Sequence, residues 1–396
     1  MKVRLGDVCS FFSGTGFPNI YQGQKTGKYP IYKVGDISKN VLFGNRELIF
    51  SDNYIDDDTV KAIKGTVLPP KTVVFAKIGE ALKLNRRAIT GCYCLIDNNA
   101  MGILADNSVL DELYFYYFMC SVDLQHYCES TAVPSVRKAR ISEIEIPLPP
   151  LDEQRRIAAV LDKVSDLIVK RRAQLDKLDE LVKARFVEMF GDPYINSMAW
   201  KKIKIKAAVT VEPQNGMYKP QSDYVTDGSG TPILRIDGFY DGIVTDFSSL
   251  KRLRCNDNEK QKYLLKENDI VINRVNSIEY LGKCAHITGL IEETVYESNM
   301  MRMHFDPVRF NPVYVAHLLC SRFVYDQVIN HAKKAVNQAS INQKDVLDFD
   351  IYQPSIERQN VFADFVNRAD QSKLTIQQSL DKLEILKKAL MQEYFG

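Results

Sequence analysis

The chain states one pattern twice, at a separation of about half its 396 residues. Ser135 to Gly191 aligns with Ser340 to Gly396 without a gap, at an offset of 205 (340 − 135 and 396 − 191). The best-matched part of each copy is a proline turn leading into a long charged stretch. The first reads Pro147-Leu148-Pro149-Pro150-Leu151-Asp152-Glu153-Gln154 and runs to Met189-Phe190-Gly191. The second reads Tyr352-Gln353-Pro354-Ser355-Ile356-Glu357-Arg358-Gln359 and runs to Tyr394-Phe395-Gly396. A duplicated globular unit, closed each time by a long helix, is suited to gripping two things at a fixed separation.

The apolar positions of the two stretches have helical period. Ile157, Leu161, Val164, Ile168, Leu175, Leu178 and Val182 follow 3–4 spacing, with Arg171 interrupting, and charged residues fill the other faces. Phe362, Val366, Ala369, Ile376, Leu380, Leu383 and Leu390 occupy the equivalent seam. Pro149 and Pro354 precede the helices, Ser355 is a cap candidate, and Gly191 followed by Pro193 ends the first. A helix over residues 152–189 is on the order of 57 Å long at ~1.5 Å per residue. Each helix either packs on its own domain or pairs with the other within the chain. The seams are long for a single-domain face, which favours an antiparallel intrachain pair and a pseudo-two-fold relation between the halves.

Upstream the repeat is looser. Tyr29 to Ile37 resembles Thr231 to Phe239 as an alternating, strand-like run, with Lys33 and Arg235 at the same place. Val73-Val74-Phe75-Ala76-Lys77 resembles Ile270-Val271-Ile272-Asn273-Arg274, a strand ending near a cation. Leu113 to Ser121 matches Val313 to Ser321 at an offset of 200, so the offset grows by five before Ser340. The longer stretch in the second copy includes Lys333, Lys334 and Gln338. A loop of varying length on a repeated frame is where specificity is expected to differ.

Several kinds of chemistry are excluded. The start lacks the apolar core of a signal peptide, and no run approaches the ~18 apolar residues of a membrane span. The eight cysteines are scattered, and Cys92 and Cys94 read as buried thiols on one face of a strand. Reduced thiols suit a cytoplasmic location. Asn311-Pro312-Val313-Tyr314 resembles the Asn-Pro-Pro-Tyr loop of adenine methyltransferases, but it lacks the second proline and an upstream glycine-rich cofactor strand. The simpler reading makes Asn311 a helix cap with Pro312 at the first helical position. Gly14-Thr15-Gly16 and Gly228-Ser229-Gly230 have neither Walker nor dinucleotide spacing, and the five histidines suggest no metal site. Tyr114-Phe115-Tyr116-Tyr117-Phe118 is expected to be a buried helix rather than a base-stacking platform.

Charge gives no general signal. The net charge is +2; residues 1–150 hold 17 Lys+Arg against 16 Asp+Glu, and residues 192–350 hold 20 against 20. A DNA face therefore requires segregation of charge on the surface. Candidates recur at matched positions. They are Lys33, Lys77, Arg86, Arg87, Ser135, Arg137 and Lys138 in the first half, and Arg235, Arg274, Asn276, Lys333, Lys334, Gln338, Asn342 and Gln343 in the second. Arg and Lys can read guanine edges, Asn and Gln can read adenine, and all can bind phosphate.

The run Ile146-Pro147-Leu148-Pro149-Pro150-Leu151-Asp152-Glu153-Gln154-Arg155-Arg156-Ile157-Ala158, the long helix, and Met189-Phe190-Gly191-Asp192-Pro193 resemble the specificity subunit of type I restriction–modification enzymes. That resemblance implies an α+β chain with two α/β target-recognition domains, residues 1–150 and 192–350. Two long spacer helices, 151–191 and 351–396, would form an antiparallel coiled coil between them. It implies a non-catalytic subunit that reads a bipartite, asymmetric site in double-stranded DNA. Its partners would be two methyltransferase subunits and, through them, restriction subunits. S-adenosylmethionine, ATP and Mg2+ would belong to those partners, with no cofactor bound by this chain. The second proline turn, Tyr352-Gln353-Pro354-Ser355, departs from the proline-rich form, so the two partner-binding surfaces are expected to differ. The alternatives are a self-contained DNA methyltransferase or fused restriction enzyme, and a coiled-coil scaffold with two protein-binding heads.

Overall fold

A computed structural model describes residues 1–128, 133–240, 242–244, 246–336 and 338–396. The chain divides into two compact units, Met1–Gln174 with Ile376–Gly396, and Leu175–Thr375. The division runs through both long helices rather than falling at their ends, because each unit packs one half of each helix into its own core.

In the first unit a five-stranded sheet holds β2 (Cys9–Ser13), β4 (Glu47–Leu48), β6 (Val73–Ala76), β7 (Ala88–Thr90) and β9 (Ala100–Ala105), in the order β2-β9-β6-β7-β4. A smaller sheet has the order β5-β3-β8, from Tyr54–Ile55, Tyr29–Tyr32 and Leu95–Ile96. All four residues of β6 are buried, as expected for an apolar run between two neighbours. The aromatic helix α1 (Glu112–Ser121) buries Tyr114, Phe115, Tyr117 and Phe118. Asp111 caps it, accepting from the Leu113 and Tyr114 amides. The first strand, β1 (Lys2–Arg4), pairs antiparallel with β10 (Glu145–Pro147) beside the start of the long helix α2 (Leu151–Phe190).

The second unit repeats this plan with more strands. They are β11 (Lys201–Lys204), β12 (Val209–Asn215), β13 (Tyr224–Val225), β14 (Thr231–Leu234), β15 (Phe239–Tyr240), β16 (Gly242–Val244), β17 (Arg252–Leu253) and β18 (Asp269–Asn273). They continue as β19 (Val275–Asn276), β20 (Cys284–His286), β21 (Val295–Tyr296), β22 (Met300–Phe305), β23 (Lys333–Lys334), β24 (Ala339–Ser340) and β25 (Asp350–Gln353). The main sheet runs β12-β22-β18-β20-β16-β15. The parallel pair β3/β8, in register Ile31↔Leu95, recurs as β14/β21 in register Ile233↔Val295. The counterpart of the aromatic helix is α3 (Pro312–Leu319), largely aliphatic, followed by α4 (Arg322–His331). Asn311 caps α3 through the Val313 amide, with Pro312 at the first position, so the Asn-Pro sequence is a helix start. The second long helix is α5 (Ile356–Phe395), and the Ser355 hydroxyl accepts from the Arg358 amide.

Each unit shows the two long helices packed antiparallel. In the first, Arg172 pairs with Glu384 at 2.6 Å, while Leu390 and Phe395 join a core with Ile157 and Leu161. In the second, Lys373 reaches Asp179 at 2.6 Å, and Phe186 and Phe190 pack edge-on to Phe362. Leu161, Val164, Ile168, Val182, Val366 and Leu380 are buried. Leu175, Leu178, Ile376, Leu383 and Leu390 are half-buried, and Phe186, Met189 and Phe190 extend the seam beyond the expected set. No helix among the described residues is long and apolar enough to cross a membrane.

Three local expectations are corrected. The run after Tyr32 turns helical at Val34, where the Asp36 carboxylate accepts from the Lys33 amide and fixes a helix start. Residues 350–353 form β25, paired with β11, so the second long helix begins at Ile356 rather than at 351. Cys92 is exposed and Cys94 buried, because a bend at 91–93 interrupts the strand that would have aligned them.

Candidate nucleic-acid interface

The matched cations lie at matched points of the backbone. In the first unit the Lys77 amide, just past β6, donates to the Asn99 carbonyl at 2.9 Å, and the Lys77 carbonyl accepts from the Val136 amide at 2.9 Å. Ile78 forms an antiparallel bridge with Ser135, and the Gly79 amide donates to the Pro134 carbonyl. In the second unit the Arg274 amide donates to the Asn299 carbonyl at 2.8 Å, and the Arg274 carbonyl accepts from the Ile341 amide at 3.0 Å. There Val275 pairs with Ser340 and Asn276 with Ala339. Strand end and downstream segment, far apart in sequence, are thus joined in the same ladder in both units.

A loop extends each cluster. The Asp97 carboxylate accepts from the Val34 and Asn99 amides, linking Lys33 to Lys77 through residues 97–99. In the second unit the Glu297 carboxylate accepts from the Ile236 amide at 2.6 Å, and lies 3.8 Å from the Arg235 guanidinium. Arg274 donates to the Ser298 carbonyl at 3.0 Å, closing the same loop. Burial raises both carboxyl pKa values, and the amides that they accept from oppose the rise. Sequence reading passed over Asp97 and Glu297. Their signal is the offset of 200 shared by Asp97-Asn98-Asn99 and Glu297-Ser298-Asn299.

Exposure sorts the candidates. Arg137, Lys138, Lys333, Lys334, Gln338, Asn342 and Gln343 are exposed; Lys33, Lys77, Arg86, Ser135, Arg235, Arg274 and Asn276 are half-buried. Lys138 rests over the Phe11 ring at 5.5 Å. Arg87 does not reach the surface: it is 2 % exposed, lies over Phe75, and bonds Asn85 and the Arg86 and Val122 carbonyls. Burial pushes its pKa down to about 10, and it is a core residue rather than a ligand contact. Asn342 spends its side-chain oxygen capping the helix Gln343–Leu347, where it accepts from the Lys344 and Asp345 amides. The Arg235 charge is shared with Asp237 and Glu297.

Charge, balanced over the whole chain, is segregated in these segments. Residues 130–142 hold Arg137, Lys138 and Arg140 with no Asp or Glu. Residues 327–344 hold Lys333, Lys334 and Lys344, again with no acid. A local excess of cations beside half-buried Ser and Asn side chains is the chemistry that binds a phosphate backbone and reads base edges.

Comparison with known proteins agrees with this geometry. Residues 1–178 match the family described as Type I restriction modification DNA specificity domain. The chain is 23% identical to the type I restriction enzyme MjaVIII specificity subunit of Methanocaldococcus jannaschii, over 98% of this chain and 90% of that protein. It is 24% identical to the EcoKI specificity subunit of Escherichia coli K12, over 60% of this chain and 53% of that one. The crystal structure of the S subunit of a type I restriction–modification system from M. genitalium shares the fold, with a TM-score of 0.60 and 14% identity over 100% of this chain and 96% of that one. The fold is therefore that of a solved S subunit, and the similar sequences are those of specificity subunits. Residues 1–178 thus match a type I restriction–modification specificity domain, and the chain is similar over nearly its whole length to a specificity subunit of such a system.

Proposed function

We propose that each unit reads one half of a split, asymmetric DNA site, and that the paired long helices set the distance between the halves. The observation that carries this is the ladder built twice, Lys77 with Val136 and Arg274 with Ile341, on otherwise different side chains. Equivalent backbones with different residues give two readers of different sequence. Each good bidentate contact discriminates by ~1–3 kcal/mol, and tethering makes the second engagement intramolecular, so two weak readings become one specific site. In this account the chain docks two methyltransferase subunits and, through them, restriction subunits. S-adenosylmethionine, ATP and Mg2+ act in those partners.

Selection from a random DNA pool by the chain together with its methyltransferase subunits tests the assignment of halves. Lys77→Ala with Arg137→Ala is expected to relax one half-site by roughly tenfold, within the range for one lost contact. Arg274→Ala is expected to relax the other half alone. Equal effects of both variants on both halves would contradict one reader per unit.

A further inference from the structure

In each unit the cation that follows one strand stands beside a carboxylate that follows its parallel neighbour. Lys33 follows β3 and Asp97 follows β8; Arg235 follows β14 and Glu297 follows β21. Parallel strands bring their C-terminal ends to one edge, so the fold itself sets each pair. A short turn accompanies each pair. Pro18 and Pro220 open it, and Gln22 and Tyr224 end it, at the offset of 202 shared by Lys33 and Arg235 (220 − 18, 224 − 22 and 235 − 33). What the turn presents differs. In the first unit Lys33 donates to the Gln22 side-chain oxygen and lies over the Phe17 ring at 5.7 Å. In the second the Arg235 guanidinium lies over the Tyr224 ring, its Cζ 5.7 Å from the centroid.

An ion pair at a strand end can do no more than hold the fold. Arg252 and Glu292 of the same unit show that form, two parallel bonds of 2.7 and 2.8 Å, with the Arg252 side chain 27 % exposed. Arg235 is equally exposed, at 27 %, but does not close on its carboxylates. Asp237 and Glu297 stand 3.7 and 3.8 Å from its Nε, which is buried without a hydrogen-bond partner. Its terminal amines donate no hydrogen bond among the described residues. Glu297 itself is 9 % exposed and is fixed by the Ile236 amide at 2.6 Å. The guanidinium is thus held by charge and by a ring, with a two-pronged donor edge left over. That edge matches the O6 and N7 acceptors of guanine in the major groove. The single ammonium of Lys33 has no such fork.

Resting on the function proposed above, we infer that Arg235 reads guanine in the half-site of the second unit, with Glu297 and Tyr224 as the positioning residues that aim its guanidinium. Lys33, engaged by Gln22, gives the first unit no such fork at the matched position.

The test uses the full chain with its methyltransferase subunits and selection from a random DNA pool. The half-site of the second unit is the one relaxed by Arg274→Ala, and it is expected to hold a G·C pair read by Arg235. Arg235→Ala is expected to relax preference at that pair roughly tenfold. Arg235→Lys keeps the charge but not the fork, and is expected to relax the same pair. Glu297→Gln keeps an acceptor for the Ile236 amide and removes the charge; it is expected to relax that pair and no other. Tyr224→Leu is expected to do the same, while Tyr224→Phe, which keeps the ring, reads as the wild type. A merely structural loss would instead weaken every position of the half-site alike. Unchanged preference in Arg235→Ala, relaxation spread evenly over the half-site, or full retention by Arg235→Lys would overturn the inference. Relaxation by Arg235→Ala with none by Glu297→Gln would overturn the positioning role of Glu297. Failure of the wild-type complex to select any split site would instead overturn the function beneath it. Co-purification of the subunits reports that the variants fold.

Discussion

Gln154 and Gln359 show at the level of single side chains why the motif after each proline turn repeats so closely. Both are fully buried. The Gln154 amide group donates to the Val109 and Pro149 carbonyls and accepts from the Asp111 amide, at 2.8–3.0 Å. Gln359 does the same with Arg309, Pro354 and Asn311 at 2.9–3.0 Å. Each glutamine therefore clamps the proline turn to the start of α1 or α3. The tyrosine hydroxyls reinforce the clamp, Tyr114 to the Pro147 carbonyl and Tyr314 to the Tyr352 carbonyl. Replacing either glutamine with leucine leaves a buried amide and two carbonyls unpaired, and is expected to cost about 2–4 kcal/mol. Urea unfolding of the full chain followed by hydrogen exchange measures this, and the exchange locates the loss in one unit. A change below about 0.5 kcal/mol would show that water replaces the clamp. Single positions also separate the units. Asp269 binds Arg302 and His304 in the second sheet, where the register of the first places Thr72, Gly102 and Leu104.

Among the elements, the long helices are the part most legible in the sequence, because their seam repeats for some 40 residues and needs no distant partner to be read. At ~1.5 Å per residue each is about 60 Å long. Inserting four residues into one helix adds about 6 Å of rise. The preferred gap between half-sites is expected to change, or binding to be lost, as read by selection from a random pool. An unchanged gap would contradict the role of the helices as a ruler. The short elements were less legible. The helix at Val34 and the bend at Cys92 follow from contacts such as that between Asp36 and the Lys33 amide, which alternation of apolar residues does not encode. The ladder from Arg274 to Ile341 joins segments 67 residues apart (341 − 274), and the sequence shows only that both recur. The candidate site was legible as a set of matched cations. It was not legible as a surface, because burial removes Arg87, capping occupies Asn342, and carboxylates share Arg235.

For the whole molecule, duplication with divergence is the property that matters. Each unit has its own core, its own buried helix (α1 or α3), and its own junction between a strand-end cation and the segment before the long helix. The most direct measurement is a map of adenine methylation across a host genome, in cells producing this chain with the methyltransferase subunit proposed as its partner and in cells lacking the chain. The account predicts a new methylated motif that is split and asymmetric, present only when the chain is present. No new methylation from a stable, soluble complex, or a new motif that is continuous and palindromic, would contradict it.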